Sequence, residues 1–247
     1  MVALPTPVRF VDTRQSGDRV GALDGSGEVL RFRVAGVRGV PSSGVAAVAA
    51  NVTVVSSEAA EVGGYLTVFP CGSRPDTSTL NFSSGATVAN AVVAPLSPDG
   101  DVCVYVYGSA HVLFDVLGYL PPDGFSALGA PVRMLDTRQL GERVGALDGS
   151  GDVVRLQVAG VRGVPSSGVA AVAMNVTVVD PSTNDFGGFV TVFPCGSRPD
   201  SSNVNFVGGQ VVANAVVAPL SPDGDVCFHV YGTAHLLADV AGWIRDD

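Results

Sequence analysis

The sequence repeats itself after 124 residues. Residues 1–123 align without a gap on residues 125–247, and 84 of these 123 pairs are identical, about 68%. This period is far longer than the repeat of a solenoid protein and matches the size of an ordinary domain. We therefore predict two tandem homologous domains, residues 1–121 and residues 122–247, joined at the breaker-rich link Pro121-Pro122-Asp123-Gly124.

The composition of each copy favours strands and turns. Valine occurs 46 times in the 247 residues and isoleucine once, while the 31 glycines and 16 prolines make up about 19% of the chain. Valine is typical of β-strands, and glycine and proline are typical of tight turns. An alanine-rich run at residues 45–50 has helical propensity, but it continues into Asn-Val-Thr-Val-Val at residues 51–55, which favours an extended conformation.

About eight apolar stretches in each copy, separated by turn signals, predict an all-β fold. The clearest hairpin has Ser97-Pro98-Asp99-Gly100-Asp101 as its turn. We expect two homologous β-sandwiches of about eight strands each, with a jelly-roll or Greek-key path. A β-trefoil is disfavoured because one copy shows no threefold subdivision.

The charge of the chain excludes several classes of partner. All 14 basic residues are arginine, against 23 acidic residues, which gives a formal net charge of −9. An acidic chain without a basic cluster lacks the electrostatic footprint of a nucleic-acid-binding protein and is not attracted to anionic lipid. Apolar runs fall short of the roughly 18 residues of a transmembrane helix, and the first residues do not form a signal peptide. We expect no nucleic-acid partner, no membrane insertion and a mature or excised segment.

Each copy carries two cysteines, 32 residues apart. Four cysteines allow three pairings, and the duplication favours one disulfide within each copy, Cys71–Cys103 and Cys195–Cys227. Such bridges predict an oxidising compartment, so we expect a secreted or cell-surface protein. Four buried thiols are the alternative. A zinc site is disfavoured because the sequence has no Cys-x-x-Cys spacing and no histidine at ligand spacing beside a cysteine.

Residues that could support catalysis or metal binding do not form a recognisable pattern. The sequence has no Gly-x-Ser-x-Gly elbow, and its acidic residues cluster in turns, where aspartate is favoured in any case. We therefore expect no catalytic residue, no metal and no cofactor. Calcium at the oxygen-rich loops 24–28 and 99–101 is the alternative, although neither loop matches a calcium-binding motif.

A set of polar residues falls within apolar stretches. His111 and Asp115 share one face of a strand but lie about 13 Å apart, which is too far for a dyad. A charge in an apolar strand needs a partner, and we predict Arg14 as the partner of Asp115. We interpret the set as structural, buried polar residues. Its members are Asp12, Arg14, His111 and Asp115 in the first copy and Asp136, Arg138, His235 and Asp239 in the second.

The loop that follows the first cysteine of each copy is the candidate binding segment. Tethered by the predicted disulfide, it presents Arg74 and Asp76 in the first copy and Arg198 and Asp200 in the second on a rigid frame. A loop that only connects strands is the alternative.

Two further features bear on recognition. Tyr107 and Tyr231 occupy equivalent positions and could stack on a sugar face, although an aromatic of the core with its hydroxyl at the rim is more common. The two copies differ most at residues 56–62, which align on residues 180–186. This segment is either a tolerant loop tip or a site whose partner differs between the copies.

A series of short motifs runs through the copies. In the first copy they are Asp12–Arg14, Gly39–Pro41, Asn51–Val54, Gly64–Gly72, Leu80–Phe82, Val88–Asn90, Val102–Cys103 and His111–Tyr119. The series resembles a recurring module of secreted actinobacterial proteins, where it accompanies cell-wall hydrolases, proteases and surface proteins, often in tandem. The resemblance covers essentially both copies. It implies export and a non-catalytic accessory role, and it supplies no binding residue.

These observations favour a non-catalytic module that binds a cell-wall or surface polysaccharide. Two copies would raise avidity if both could engage one polymer. A structural spacer or self-assembly repeat, in which self-association is the function, is one alternative. A hydrolase of unrecognised type is the other.

Overall fold

The computed structural model of the chain describes residues 1–246, apart from the side chain of Leu140. The chain forms two compact units, Met1–Ala130 and Pro131–Asp247, which we call unit 1 and unit 2. The link predicted at residues 121–124 forms a turn, in which the Phe125 N–H donates to the Pro121 carbonyl at 3.1 Å. Within the described residues, no helix is long and apolar enough to cross a membrane.

Unit 1 contains eight strands in two antiparallel sheets. They are β1 (Val2–Asp12), β2 (Leu30–Arg33), β3 (Ala47–Glu58), β4 (Gly64–Pro70), β5 (Leu80–Phe82), β6 (Val88–Pro95), β7 (Asp101–Tyr107) and β8 (Ser109–Leu120). Sheet order is β1-β8-β3-β6 in the first sheet and β2-β7-β4-β5 in the second. The pairs β1–β8, β2–β7, β3–β6 and β4–β5 are those of a jelly roll, so the predicted all-β sandwich is confirmed.

The core of unit 1 lies between the two sheets and is built mainly from valine. Strand β7 alternates strictly, with Val102, Val104 and Val106 fully buried in the core and the residues between them on the opposite face. The alanine-rich run continues as strand β3, whose Val52 and Val54 are fully buried. Each buried valine contributes about 1.5 kcal/mol or more, which outweighs the helical propensity of the alanines before it.

Unit 2 repeats this topology with an added 3-10 turn, an added short strand and two strands merged into one. Its first strand, β9 (Phe125–Asp136), begins six residues before the unit boundary. The other elements are a 3-10 turn (Thr137–Leu140), β10 (Val144–Ala146), β11 (Val154–Gln157), β12 (Val169–Ser182), β13 (Gly188–Pro194), β14 (Val204–Phe206), β15 (Val212–Pro219) and β16 (Asp225–Arg245). The 21-residue β16 takes the place of both β7 and β8. Its first half pairs with β11 and β13, and its second half pairs with β12.

A glycine marks the passage of this strand from one sheet to the other. Gly232 has φ 94°, and its counterpart Gly108, between β7 and β8, has φ 100°. This left-handed region is readily accessible only to glycine. A side chain at Gly108 would place its Cβ 2.7 Å from the Glu58 carbonyl oxygen, so space excludes a larger residue as well.

Both predicted disulfides are present. Cys71 bonds to Cys103 and Cys195 bonds to Cys227, with Cα–Cα distances of 5.0 and 4.9 Å. Each bond ties the residue after β4 or β13 to the central strand of the second sheet. All four cysteines are consumed, which excludes the alternative of four free thiols.

Loss of the unit 2 disulfide should destabilise that unit in particular. The loop closes over 32 residues, for which loop entropy gives about 3–4 kcal/mol. We expect Cys195→Ala/Cys227→Ala to lower the free energy of urea unfolding by this amount, measured through the fluorescence of Trp243, the chain's single tryptophan. The matched variant Cys71→Ala/Cys103→Ala should move the Trp243 transition less. Equal midpoints for the wild type and the unit 2 variant would contradict the prediction.

Candidate functional site

The polar set predicted at the first sheet forms ion pairs, with one correction. Arg9 donates from Nε and Nη2 to both oxygens of Asp115, at 2.8 and 2.9 Å. Arg14 instead pairs with Asp12, at 2.8 and 2.6 Å. The predicted Arg14–Asp115 pair is therefore wrong. Arg9 lies directly opposite Asp115 in the β1–β8 register, whereas Arg14 follows the end of β1 and folds back, about half exposed.

Unit 2 repeats the arrangement in a more buried form. Arg133 donates to both oxygens of Asp239 at 2.9 and 3.1 Å, and the Asp239 side chain is only 1% exposed. Arg138 donates to Asp136 at 2.9 and 2.7 Å, and these hydrogen bonds lower the pKa of the Asp136 carboxyl. The bidentate Arg133–Asp239 pair therefore holds β9 against β16, whereas Arg138–Asp136 is a local pair at the end of β9. The predicted burial of the polar set is wrong for most members: only Asp239 is buried, Arg14 and Arg138 are exposed because their guanidinium groups reach solvent, and the others are half-buried.

Thr13, between Asp12 and Arg14, contacts His111, and the equivalent threonine of unit 2 contacts His235. Thr13 Oγ1 accepts the Val112 N–H at 3.0 Å and lies 3.3 Å from His111 Nδ1. In unit 2, His235 Nδ1 lies 3.5 Å from Thr137 Oγ1. The histidines therefore line the junction of the first and last strands of each sandwich, where their contacts are structural.

The predicted binding loop of unit 1 covers the outer face of the second sheet. Thr67 Oγ1 donates to the Thr77 carbonyl at 2.5 Å, which holds the loop against β4. The Arg74 guanidinium carbon lies 3.8 Å from the centre of the Tyr105 ring. At this distance the cation interacts favourably with the π-system. Arg74 and Asp76 are exposed, with the planar face of Arg74 committed to Tyr105.

Beneath this loop lies a cluster that we call the aromatic layer, Tyr65, Tyr105 and Tyr107. The Tyr65 and Tyr107 rings are stacked, with centres 5.4 Å apart and an interplanar angle of 13°. The Tyr105 hydroxyl donates to the Gly25 carbonyl at 3.0 Å. Burial raises the pKa of the Tyr65 hydroxyl. The layer packs against the disulfide and so closes the second face of β7.

The aromatic layer of unit 2 consists of Phe189, His229 and Tyr231. Phe189 and Tyr231 are stacked at 5.3 Å with an angle of 4°. His229 replaces Tyr105 and keeps the same neighbours. Its Nε2 lies 3.0 Å from the Gly149 carbonyl oxygen, and Arg198 Nη1 lies 2.8 Å from Nδ1 and 2.6 Å from Nε2. The two distances place the Arg198 guanidinium against the imidazole ring, as Arg74 lies against the Tyr105 ring in unit 1. Arg198, like Asp200 beside it, is exposed.

A groove of about 490 Å³ opens beside the Phe189–Tyr231 stack. We call it the unit 2 groove. Its lining residues are Phe186, Gly187, Gly188, Phe189, Asn205, Phe206, Val207, Gln210 and Tyr231. Phe186 is 92% exposed and Val207 is 57% exposed, both unusually high for apolar side chains.

The wall that carries Phe186 is held in place by Asn184. Its Nδ2 donates to the Tyr231 hydroxyl at 3.0 Å and to the Leu147 carbonyl at 3.2 Å, and its Oδ1 accepts the Phe186 N–H at 3.0 Å. The floor depends on Gly188, where a Cβ would lie 2.4 Å from the Phe206 ring. The hydrogen bonds of Asn184 and the absence of a side chain at Gly188 therefore define one wall and the floor of the groove.

The loops considered for calcium use their carboxylates internally. Asp24 Oδ1 accepts the Ser26 N–H and hydroxyl, at 2.9 and 2.6 Å, and Asp101 is paired with Arg31. Within residues 1–246, the described side chains form no group of three or more His, Cys, Asp or Glu residues that could hold a metal ion.

Part of the groove is predictable from the sequence. Tyr231 and the divergent segment 180–186, which ends at Phe186, stand out in the repeat, whereas Asn205, Val207 and Gln210 do not. The available signal was the exchange of Ser83 and Ala86 in the first copy for the larger Val207 and Gln210 in the second. Only the folded sheet shows that these positions border the Tyr231 ring.

No protein-family model and no curated protein matches the chain. Among solved structures, it is similar to the N-terminal CBM22-1–CBM22-2 tandem domain of Xyn10C from Paenibacillus barcinonensis, at 9% sequence identity and with 100% of both chains covered. The TM-score is 0.25, which is too low to indicate a shared fold. The jelly-roll assignment rests on the strand pairing.

Removal of the arginine beside Asp136 should change the acid stability of unit 2. The folded pKa of Asp136 is lowered, so its stabilising effect is complete above about pH 4, the range of an unfolded aspartate, and is lost as the pH falls through the folded value. We expect Arg138→Gln to unfold more easily at pH 6 and to lose less further stability below pH 4. Urea titrations followed through Trp243 test this, with the exposed Arg162→Gln as a control of equal charge. Parallel pH profiles for wild type and Arg138→Gln would contradict it.

Exchange of His229 tests the equivalence of the two aromatic layers. We expect His229→Tyr to remain within about 1 kcal/mol of the wild type, because Tyr105 makes the corresponding contacts in unit 1. His229→Ala should lose about 2 kcal/mol or more, since it leaves a cavity and removes the hydrogen bond to Gly149. Urea unfolding followed through Trp243 measures both. Similar losses for the two variants would show that the layers are not equivalent.

Proposed function

We propose that the chain is a non-catalytic binding module that attaches to a cell-envelope or surface polysaccharide through the unit 2 groove. The observation that carries this proposal is an exposed aromatic ring, Phe186, beside the parallel Phe189–Tyr231 stack in a groove that also presents amide side chains. Aromatic surfaces with a few convergent polar groups are typical of ligand-binding clefts.

The lining fits the two kinds of surface that a sugar ring offers. A pyranose has an apolar face of C–H groups, which packs on aromatic rings, and a perimeter of hydroxyl groups. Asn205 and Gln210 each offer both a donor and an acceptor, which is what a hydroxyl requires. Both amides are exposed at the edge of the groove, while Phe186 and Tyr231 supply the apolar contact.

The disulfides support an extracellular location, because structural disulfides persist in oxidising compartments. The resemblance to secreted actinobacterial modules points the same way and favours an accessory role beside other domains. The charged residues of the first sheet are engaged in structural ion pairs, which favours a binding function over a catalytic one.

Truncation of the exposed aromatic should weaken attachment. We expect Phe186→Ala to reduce affinity for purified actinobacterial cell wall about tenfold, because a lost aromatic contact costs about 1–1.5 kcal/mol. Co-sedimentation at physiological salt measures this. The matched control is Val62→Ala, which changes the equivalent residue of unit 1, itself 85% exposed, and should leave binding unchanged.

Wild-type retention no better than that of an unrelated acidic β-protein would overturn the proposal. So would equal retention of the wild type and Phe186→Ala. Self-association through Phe186, the spacer alternative, would appear as concentration-dependent sedimentation that the alanine variant abolishes, without any retention on cell wall.

A further inference from the structure

We infer that the unit 2 groove selects an uncharged glycan and that the matching surface of unit 1 does not bind it, so that one chain carries one site. This inference rests on the proposed function and specifies its ligand class and stoichiometry. It also replaces the expectation of avidity from two equal sites with a division of roles between the copies.

The unit 2 groove has an uncharged lining. None of its nine lining residues is acidic or basic, and hydrogen-bonding capacity comes from the Asn205 and Gln210 amides and the Tyr231 hydroxyl. Anionic sugars are typically held by arginine or lysine, and Arg198 faces His229 rather than the groove. The exposed carboxylate of Asp185, next to Phe186 in sequence, further disfavours an anionic ligand.

The residues at this surface differ between the two copies. Both retain most of the floor, since Gly188, Asn205, Phe206 and Tyr231 correspond to identical residues in unit 1, and only Phe189 differs, being a tyrosine, Tyr65, there. At four positions in or beside the walls, the side chain is larger in unit 2 than in unit 1. The four residues Asn184, Phe186, Val207 and Gln210 replace the smaller Ala60, Val62, Ser83 and Ala86.

Each exchange has a structural consequence at the groove. Asn184 tethers the Tyr231 hydroxyl and the Phe186 N–H, a role that the alanine at position 60 cannot perform. Phe186 and Val207 supply apolar walls, and Gln210 supplies an amide. Unit 1 therefore keeps the stacked pair Tyr65–Tyr107 but has neither the aromatic wall nor the second amide.

The ligand class is tested by isothermal titration of the intact chain with two sets of soluble probes. One set contains neutral oligosaccharides of glucose, mannose, galactose and arabinose, and the other contains oligogalacturonate and oligoglucuronate. We expect at least one neutral probe to bind at one site per chain, and the acidic probes to bind at least tenfold more weakly. Preference for an acidic probe, or two equal sites, would overturn the inference while leaving a glycan-binding function in place. No binding by any probe or by cell wall would overturn the proposed function itself.

Exchange of the walls between the units tests the division of roles. Transplanting the unit 2 residues into unit 1, by Ala60→Asn, Val62→Phe, Ser83→Val and Ala86→Gln, should raise the stoichiometry from one to two. The reverse exchange, Asn184→Ala, Phe186→Val, Val207→Ser and Gln210→Ala, should weaken binding at least tenfold. Every new residue already occurs at the equivalent position of the other unit, and circular dichroism checks folding. Undiminished binding by the reverse variant, or a stoichiometry of one for a folded transplant, would contradict the inference.

Discussion

The central strand of the second sheet must be covered on both faces, and the rest of the structure follows from this constraint. One face of β7 carries valines into the sandwich core, while its other face carries Cys103, Tyr105 and Tyr107. Antiparallel sheets commonly leave such a face to solvent. Here a disulfide, a cation over an aromatic ring and a tethered loop cover it. The aromatic layer is thus a second, smaller core outside the sandwich.

The groove arises where this outer cover ends. In unit 2 the loop with Arg198 shields His229, but the Phe189–Tyr231 stack extends beyond it towards the turn at Asn184. The Phe189 and Tyr231 rings, which cover the outer face of the strand, are therefore partly accessible to solvent at one end of the sheet. A binding site can develop there through changes in the flanking turns, without disturbing the strands, which is the usual division between scaffold and binding loops.

The fold was largely predictable from residue patterns, because strand alternation and turn chemistry are local. The extended conformation after the alanine-rich run and the pairing of Cys71 with Cys103 both followed from the sequence and its repeat. The partner of Asp115 did not, because it depends on strand register. Sequence proximity favoured Arg14 of the motif, whereas the β1–β8 pairing places Arg9 opposite. The groove was only partly visible for the same reason, since Phe186 and Gln210 are distant in sequence and meet only in the folded sheet.

The length of strand β16 has a consequence for the cooperativity of unfolding in unit 2. A single uninterrupted strand of 21 residues hydrogen-bonds in both sheets and carries Cys227, Tyr231 and Asp239. The disulfide, the groove floor and the buried ion pair therefore share one backbone segment. Local opening events in proteins follow contiguous segments, and this segment cannot open at one sheet without disturbing the other. Unit 2 is thereby expected to behave as one cooperative folding unit, in which the stability of the distant sheet also determines how rigidly the groove is held.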